Sequence, residues 1–168
     1  MNMHKSLVLF LLAATGFTAC QNVKSTLPTS TSTADSSNTA GLQVYLRAAS
    51  PSLSSDSVLL SFTVVNNADS VQRFVKWETP FEPHIGKYIE VLDAQGEEAQ
   101  FTGAMARRVM PPPAEAYLEV PAHDSLRTEF NLARNYVLKA GSYTLKYTGG
   151  GVSNLPETQP LKTTVEDK

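Results

Sequence analysis

From Leu42 onward, apolar and polar residues alternate with a period of two, the spacing of strands that bury one face. Leu42, Val44, Leu46 and Ala48 alternate with Gln43, Tyr45 and Arg47. Val58, Leu60, Phe62 and Val64 alternate with Leu59, Ser61, Thr63 and Val65, so this second run is apolar at most positions and is predicted to be a central strand. Asn66–Ser70 is a turn cluster, because Asn and Asp tolerate left-handed backbone and bond locally. Val71–Trp77 is predicted to return as a strand. Tyr88–Leu92 and Glu98–Phe101 flank Asp93-Ala94-Gln95-Gly96, a hairpin signal. Tyr117–Val120, Leu126–Leu132, Ser142–Tyr147 and Leu161–Val165 complete the set. Asn131–Tyr136 leaves room for one helical turn. Short strands, polar turns and the lack of a capped helical stretch predict an all-β fold over residues 41–168. The expected form is an immunoglobulin-like antiparallel β-sandwich of about eight strands.

The first forty residues follow a different pattern. His4 and Lys5 precede the apolar run Leu7–Ala14, which is too short for a helix across a hydrocarbon core of roughly 30 Å, a span needing about 20 residues. Residues 1–19 therefore read as a secretory signal peptide. Phe17-Thr18-Ala19-Cys20 resembles the bacterial lipobox, whose cysteine is acylated and becomes the mature N-terminus; Phe17 departs from the usual leucine. Multiple acyl chains anchor stably where one would be marginal. Residues 20–40 are rich in Ser, Thr and Asn, with no hydrophobic period, and read as a lipidated Cys20 followed by a flexible tether. The expected address is the cell envelope, lipid-anchored. Gln21 is not the aspartate of the inner-membrane retention signal, so a Gram-negative host would place the chain at its outer membrane.

Composition narrows the function classes. The 168 residues carry a formal charge of −2, and losing Lys5 with the leader would take it to −3. Such a balance gives no clustered basic surface for nucleic acid. The single cysteine excludes an intramolecular disulfide, so the core must hold by packing alone. A monomer is expected.

From Val71 the sequence resembles a known family. Phe74-Val75-Lys76-Trp77-Glu78-Thr79-Pro80-Phe81 is similar to the LKW–TPL segment in the N-terminal domain of deuterolysin-type metalloendopeptidases, the peptidyl-Lys type among them. In order there follow Tyr88-Ile89-Glu90-Val91, Phe101-Thr102-Gly103, Arg107-Arg108, Pro112–Leu118, Asn131–Tyr136 and Ala140–Tyr147, each resembling its counterpart in that domain. The likeness covers nearly the whole folded part. It implies a β-sandwich and a link with proteases. The family's His-Glu-x-x-His zinc motif has no counterpart here, so the resemblance does not imply peptidase activity, and no metal or cofactor is expected.

Six residues stand out as candidates for partner binding. Trp77, Thr79 and Pro80 form an aromatic next to a Pro loop; an exposed tryptophan there would anchor a partner, and a buried one would plug the core. Arg107, Arg108 and Met110 lie in a loop ending in three prolines, which lower its ordering cost on binding. That loop is either a binding element for an acidic groove or protease cleft, or a solvated crossing. His84 and His123 stand alone as loop residues. No nucleophile-elbow sequence is present. Gly149-Gly150-Gly151 lacks the Lys-Ser/Thr of a phosphate loop and reads as a mobile loop at a sandwich end. The favoured function is a non-catalytic envelope lipoprotein that binds protein, as a regulator or inhibitor of a protease. A structural or accessory lipoprotein without a protease link is the alternative, and a hydrolase with an unrecognised site ranks last.

Overall fold

Among the described residues eight short strands form, each where alternating side chains have a core to bury. The computed structural model describes residues 41–168; the expected signal peptide, Cys20 and tether lie outside the described residues. The strands are β1 (Leu42–Ala48), β2 (Leu59–Asn66), β3 (Gln72–Val75), β4 (Ile89–Asp93), β5 (Tyr117–Val120), β6 (Ser125–Asn131), β7 (Gly141–Tyr147) and β8 (Leu161–Val165). Single 3-10 turns occupy Ala114–Ala116 and Leu132–Arg134. The sheet orders are β1-β2-β6, β4-β7-β8 and a small β3-β5 pair, all antiparallel. This is the all-β sandwich expected from the period-two pattern.

The inner faces follow the alternation. Leu42, Val44 and Leu46 of β1, Leu60, Phe62 and Val64 of β2, and Tyr143, Leu145 and Tyr147 of β7 enter one buried cluster. β2 is central, with β1 on one side and β6 on the other. Aromatic rings lock the layers together. Phe62 of β2 meets Tyr147 of β7 at 4.9 Å, edge to face. Phe81 bridges Phe62 at 6.1 Å and Phe74 of β3 at 5.5 Å. One ring cluster thus joins all three sheets and the chain between β3 and β4. Such pairs add about 0.5–1.5 kcal/mol each beyond the area they bury.

Two expected pairings differ. Residues 71–77 do not return along β2, because β1 and β6 occupy both of its edges; β3 pairs with β5, and Phe74 lies opposite Leu118. The cause is visible at Asn66. Its side chain is fully buried and donates to Ser70 O at 2.8 Å, Val120 O at 2.9 Å and Pro121 O at 2.9 Å, while its Oδ1 accepts from Ala68 N at 2.9 Å. The turn residue therefore bolts the start of β3 to the end of β5. Residues 98–101 do not form a strand either. Ala99 N bonds Val91 O at 2.9 Å, but Gln100 O then accepts from Val137 N at 3.0 Å. The segment changes partner midway, and Phe101 stacks on Tyr136 at 5.2 Å.

Phe62→Ala is expected to cost about 3–5 kcal/mol, since it empties the centre of the ring cluster. Asn66→Ala should cost about 2–4 kcal/mol by orphaning buried carbonyls. Urea denaturation checks both; a change under 1 kcal/mol at either position would contradict the role given to it.

Candidate functional site

At one end of the sandwich, three loops meet around Trp77. Trp77 is only 7% exposed and packs with Val75 and Ala116, with Tyr117 and Val152 against them. The packing alternative therefore holds for this residue: its indole is not an exposed anchor. Thr79 is fully buried; its Oγ1 donates to Lys76 O at 2.6 Å and accepts from Phe81 N at 3.2 Å. Pro80 is buried as well. These bonds close a tight turn that swings Phe81 into the ring cluster. Trp77, Thr79 and Pro80 are interior rather than accessible surface, and the Thr79 hydroxyl is spent on the chain itself.

The Arg107–Pro113 loop is different. Its feet are tied down by backbone bonds. Thr102 N donates to Asn135 O at 2.7 Å, Ala104 N to His84 O at 3.2 Å, and Gly86 N to Ala104 O at 2.8 Å. At the far end Ala116 N bonds Pro113 O at 2.9 Å, and Ala116 is buried beneath Trp77. Between the feet, Arg108 turns inward. Its guanidinium carbon lies 4.8 Å from the Trp77 ring centroid, and Nη2 is paired with Glu82 Oε2. Planar guanidinium over an indole face is a favourable stack, and the carboxylate holds its orientation. Arg107 is left exposed, beside Met105 at 74%, Val109 at 83% and Met110 at 64% exposure. A cation and three large apolar side chains thus project from a loop with both ends held and its middle pinned.

The sequence pattern brought Arg107, Arg108 and Met110 to notice together, yet the two arginines do opposite things. Glu82 was missed. Nothing local marks it as the partner of a residue 26 positions away. Met105 and Val109 were legible only as neighbours of the arginines.

The glycine loop, read from sequence as a mobile loop at a sandwich end, is held by hydrogen bonds. Gly150 N bonds Leu155 O at 2.6 Å, and the buried Ser153 Oγ bonds Gly150 O at 2.7 Å and the Tyr147 hydroxyl at 2.8 Å. Gly149 has φ +64°, and a Cβ there would sit 2.5 Å from Glu157 N, so only glycine fits. His84 Nδ1 lies 3.0 Å from Asn135 Oδ1, and His123 Nε2 lies 2.8 Å from Asp69 Oδ1. Among the described residues no group of His, Cys, Asp or Glu is arranged to hold a metal ion, and no helix is long and apolar enough to cross a membrane.

No protein-family model matches this chain, and no curated protein sequence matches it.

Burial pushes the Tyr147 hydroxyl up to about 12, against the opposing effect of its bond with Ser153. It pushes Tyr88 and Tyr136 in the same direction. An unfolded tyrosine ionises near pH 10, so above that the unfolded state binds fewer protons than the native state, and stability falls as pH rises. The loss is expected to run from pH 10 to about 12 and to be reduced in Tyr147→Phe. Tyr88 offers a sharper check. Its buried hydroxyl has no hydrogen-bond partner among the described residues. Tyr88→Phe should therefore be neutral or stabilising at pH 7 and should also blunt the alkaline loss. Denaturation curves at neutral and alkaline pH measure both; clear destabilisation of Tyr88→Phe at pH 7 would show an unseen partner.

Arg108→Ala should free the loop while costing only about 1–2 kcal/mol of global stability. Limited digestion of the native chain with trypsin reads it out. Cleavage after Arg107 should accelerate about tenfold, and an unchanged rate would mean that Arg108 does not restrain the loop.

Proposed function

We propose that this chain is an exported, lipid-anchored and non-catalytic protein-binding module, with the 105–113 loop as its binding element. The observation that carries this reading is the exposure of Met105, Val109 and Met110 around Arg107 on a loop restrained at both feet and by Arg108. Removing exposed apolar side chains from water is favourable, and a restrained loop loses little entropy when it docks. Methionine adapts to irregular pockets, and arginine supplies a cation at the contact. A projecting, proline-stiffened loop suits a concave partner surface.

Two sequence features extend the reading. The lipobox-like Phe17–Cys20 segment supports acylation at Cys20 and an envelope location. The resemblance to the domain that accompanies deuterolysin-type proteases supports a protease as the concave partner, with this chain as its regulator or inhibitor. A structural or accessory lipoprotein would use the same loop on a different envelope protein.

A photo-activated cross-linking residue at position 110, introduced into the full chain in its own cells, tests the proposal. One defined adduct is expected. It should weaken about tenfold or more when Arg107→Glu and Val109→Asp are combined. It should be missing with the cross-linker at position 164, on a strand. Equal capture from both positions would remove the loop from consideration. A metalloprotease in the adduct supports regulation; an envelope scaffold protein supports the accessory role. Cys20→Ser should release the chain from membranes, and retention there would refute the anchor.

A further inference from the structure

β1 is an edge strand of its sheet, with β2 on one side and no strand on the other among the described residues. The bonds flanking the β1–β2 ladder set its phase. Asn67 N donates to Gly41 O at 2.8 Å and Ala49 N to Leu59 O at 2.9 Å. Antiparallel residues alternate between bonding their neighbour and facing away from it. Gly41, Gln43, Tyr45, Arg47 and Ala49 therefore bond β2, and the N–H and C=O groups of Val44 and Leu46 point outward. The β2–β6 pairing agrees: Leu132 N donates to Val58 O and Asn66 N to Asp124 O, both at 2.9 Å, which puts the even residues of β2 toward β6 and the odd ones toward β1. No described residue bonds the outward groups of Val44 and Leu46.

The other edges of the two three-stranded sheets each carry a cover or a charge along part of their length. The 97–99 return bonds β4, residues 53–55 bond the end of β8 at Glu166, and β6 carries Arg127 and Glu129. β1 is seven residues long, without proline or lysine, and alternates buried and exposed side chains from Leu42 to Arg47, its one charged residue. It also borders a groove of about 380 Å³ whose far wall is Pro156, Glu157, Thr158 and Gln159, with Glu157 paired to Lys146 at 2.6 Å. That groove follows the seam between the two main sheets. Thr158 is already held on the far side through its bond to Tyr147 O.

We infer that this edge accepts an extended peptide segment of a partner protein as an added antiparallel strand. Its backbone bonds Val44 and Leu46, and the residues opposite them turn small apolar side chains into the seam. Side chains opposite Gln43, Tyr45 and Arg47 stay on the outer face, in the close non-bonded positions. Arg47 is exposed there, over the Tyr45 ring at 5.8 Å, with no carboxylate partner among the described residues. The complementary strand carries an acidic residue opposite Arg47. Backbone bonds supply affinity and alternate side chains supply selection, as in strand addition generally. The edge is separate from the 105–113 loop, so either can stand without the other.

The experiment uses the full, isotope-labelled chain in detergent and the capped peptide Thr-Asp-Val-Thr-Val-Thr. In antiparallel register its aspartate falls opposite Arg47 and its valines opposite Leu46 and Val44. Saturating peptide should slow amide exchange at Val44 and Leu46 about tenfold or more, and leave Tyr45 and Arg47 unchanged because β2 already bonds them. Methylating both valine nitrogens should abolish the effect. Arg47→Glu should weaken binding about fivefold, and lysine in place of the peptide aspartate should restore it. Equal binding of the methylated peptide, or shifts confined to other surfaces, would overturn the inference. So would protection of Val44 and Leu46 that grows with protein concentration alone, since the occupant would then be a second copy of this chain.

Discussion

Everything in this domain hangs on the contact between Phe62 and Tyr147. A sandwich without a disulfide has only inter-sheet packing to hold its layers, and these two rings meet at the centre of the two main sheets. Phe81 and Phe74 extend the cluster to the third sheet. The dependence runs outward from there. Phe81 can reach the cluster only because the Thr79 hydroxyl closes the preceding turn, and that turn sets where Trp77 and Glu82 lie. The Tyr147 hydroxyl, at the other side of the same contact, pins the glycine loop through Ser153. Core packing and loop placement are one system.

Trp77 and Arg108 carry that rigidity to the surface. A buried indole offers its face to a half-buried guanidinium, and Glu82 completes the hold. The neighbours of Arg108 are then forced outward, because a loop pinned at its middle cannot fold its remaining apolar side chains back onto a core that is already filled. Exposed methionines and a valine are the consequence. Exposed apolar side chains grouped in this way are the basis of the binding role proposed for the loop. The uncovered edge of β1 is a different kind of offer, made of backbone groups rather than side chains, and it lies along the seam the aromatic cluster closes from within.

Much of the fold was legible because strand alternation is a local property. Leu42, Val44 and Leu46 face inward simply because a pleated chain turns every second side chain the same way. The boundaries of β1, β5 and β8 could be read from that rule alone. The pairing of β3 could not. Asn66 looks like a turn residue in sequence and is one, but its amide also bonds carbonyls of β5, and that choice redirects the next strand to a different neighbour. The segment after the hairpin was misread for a similar reason: alternation shows that residues 98–101 can extend, not that they will divide their bonds between two partners.

At the candidate site the same boundary separates what could be read from what could not. Sequence by itself determined the class of the fold, the phase of each strand and the loop in which two arginines sit beside apolar residues and prolines, because these depend on neighbours along the chain. Only the tertiary structure decided that Trp77, Thr79 and Pro80 are interior, that Arg108 is anchor and Arg107 is surface, and that no described residue bonds the outward backbone groups of Val44 and Leu46. Those outcomes depend on which distant groups compete for the same buried space and the same hydrogen bonds. No local period encodes that competition; it is settled when the sheets close on one another.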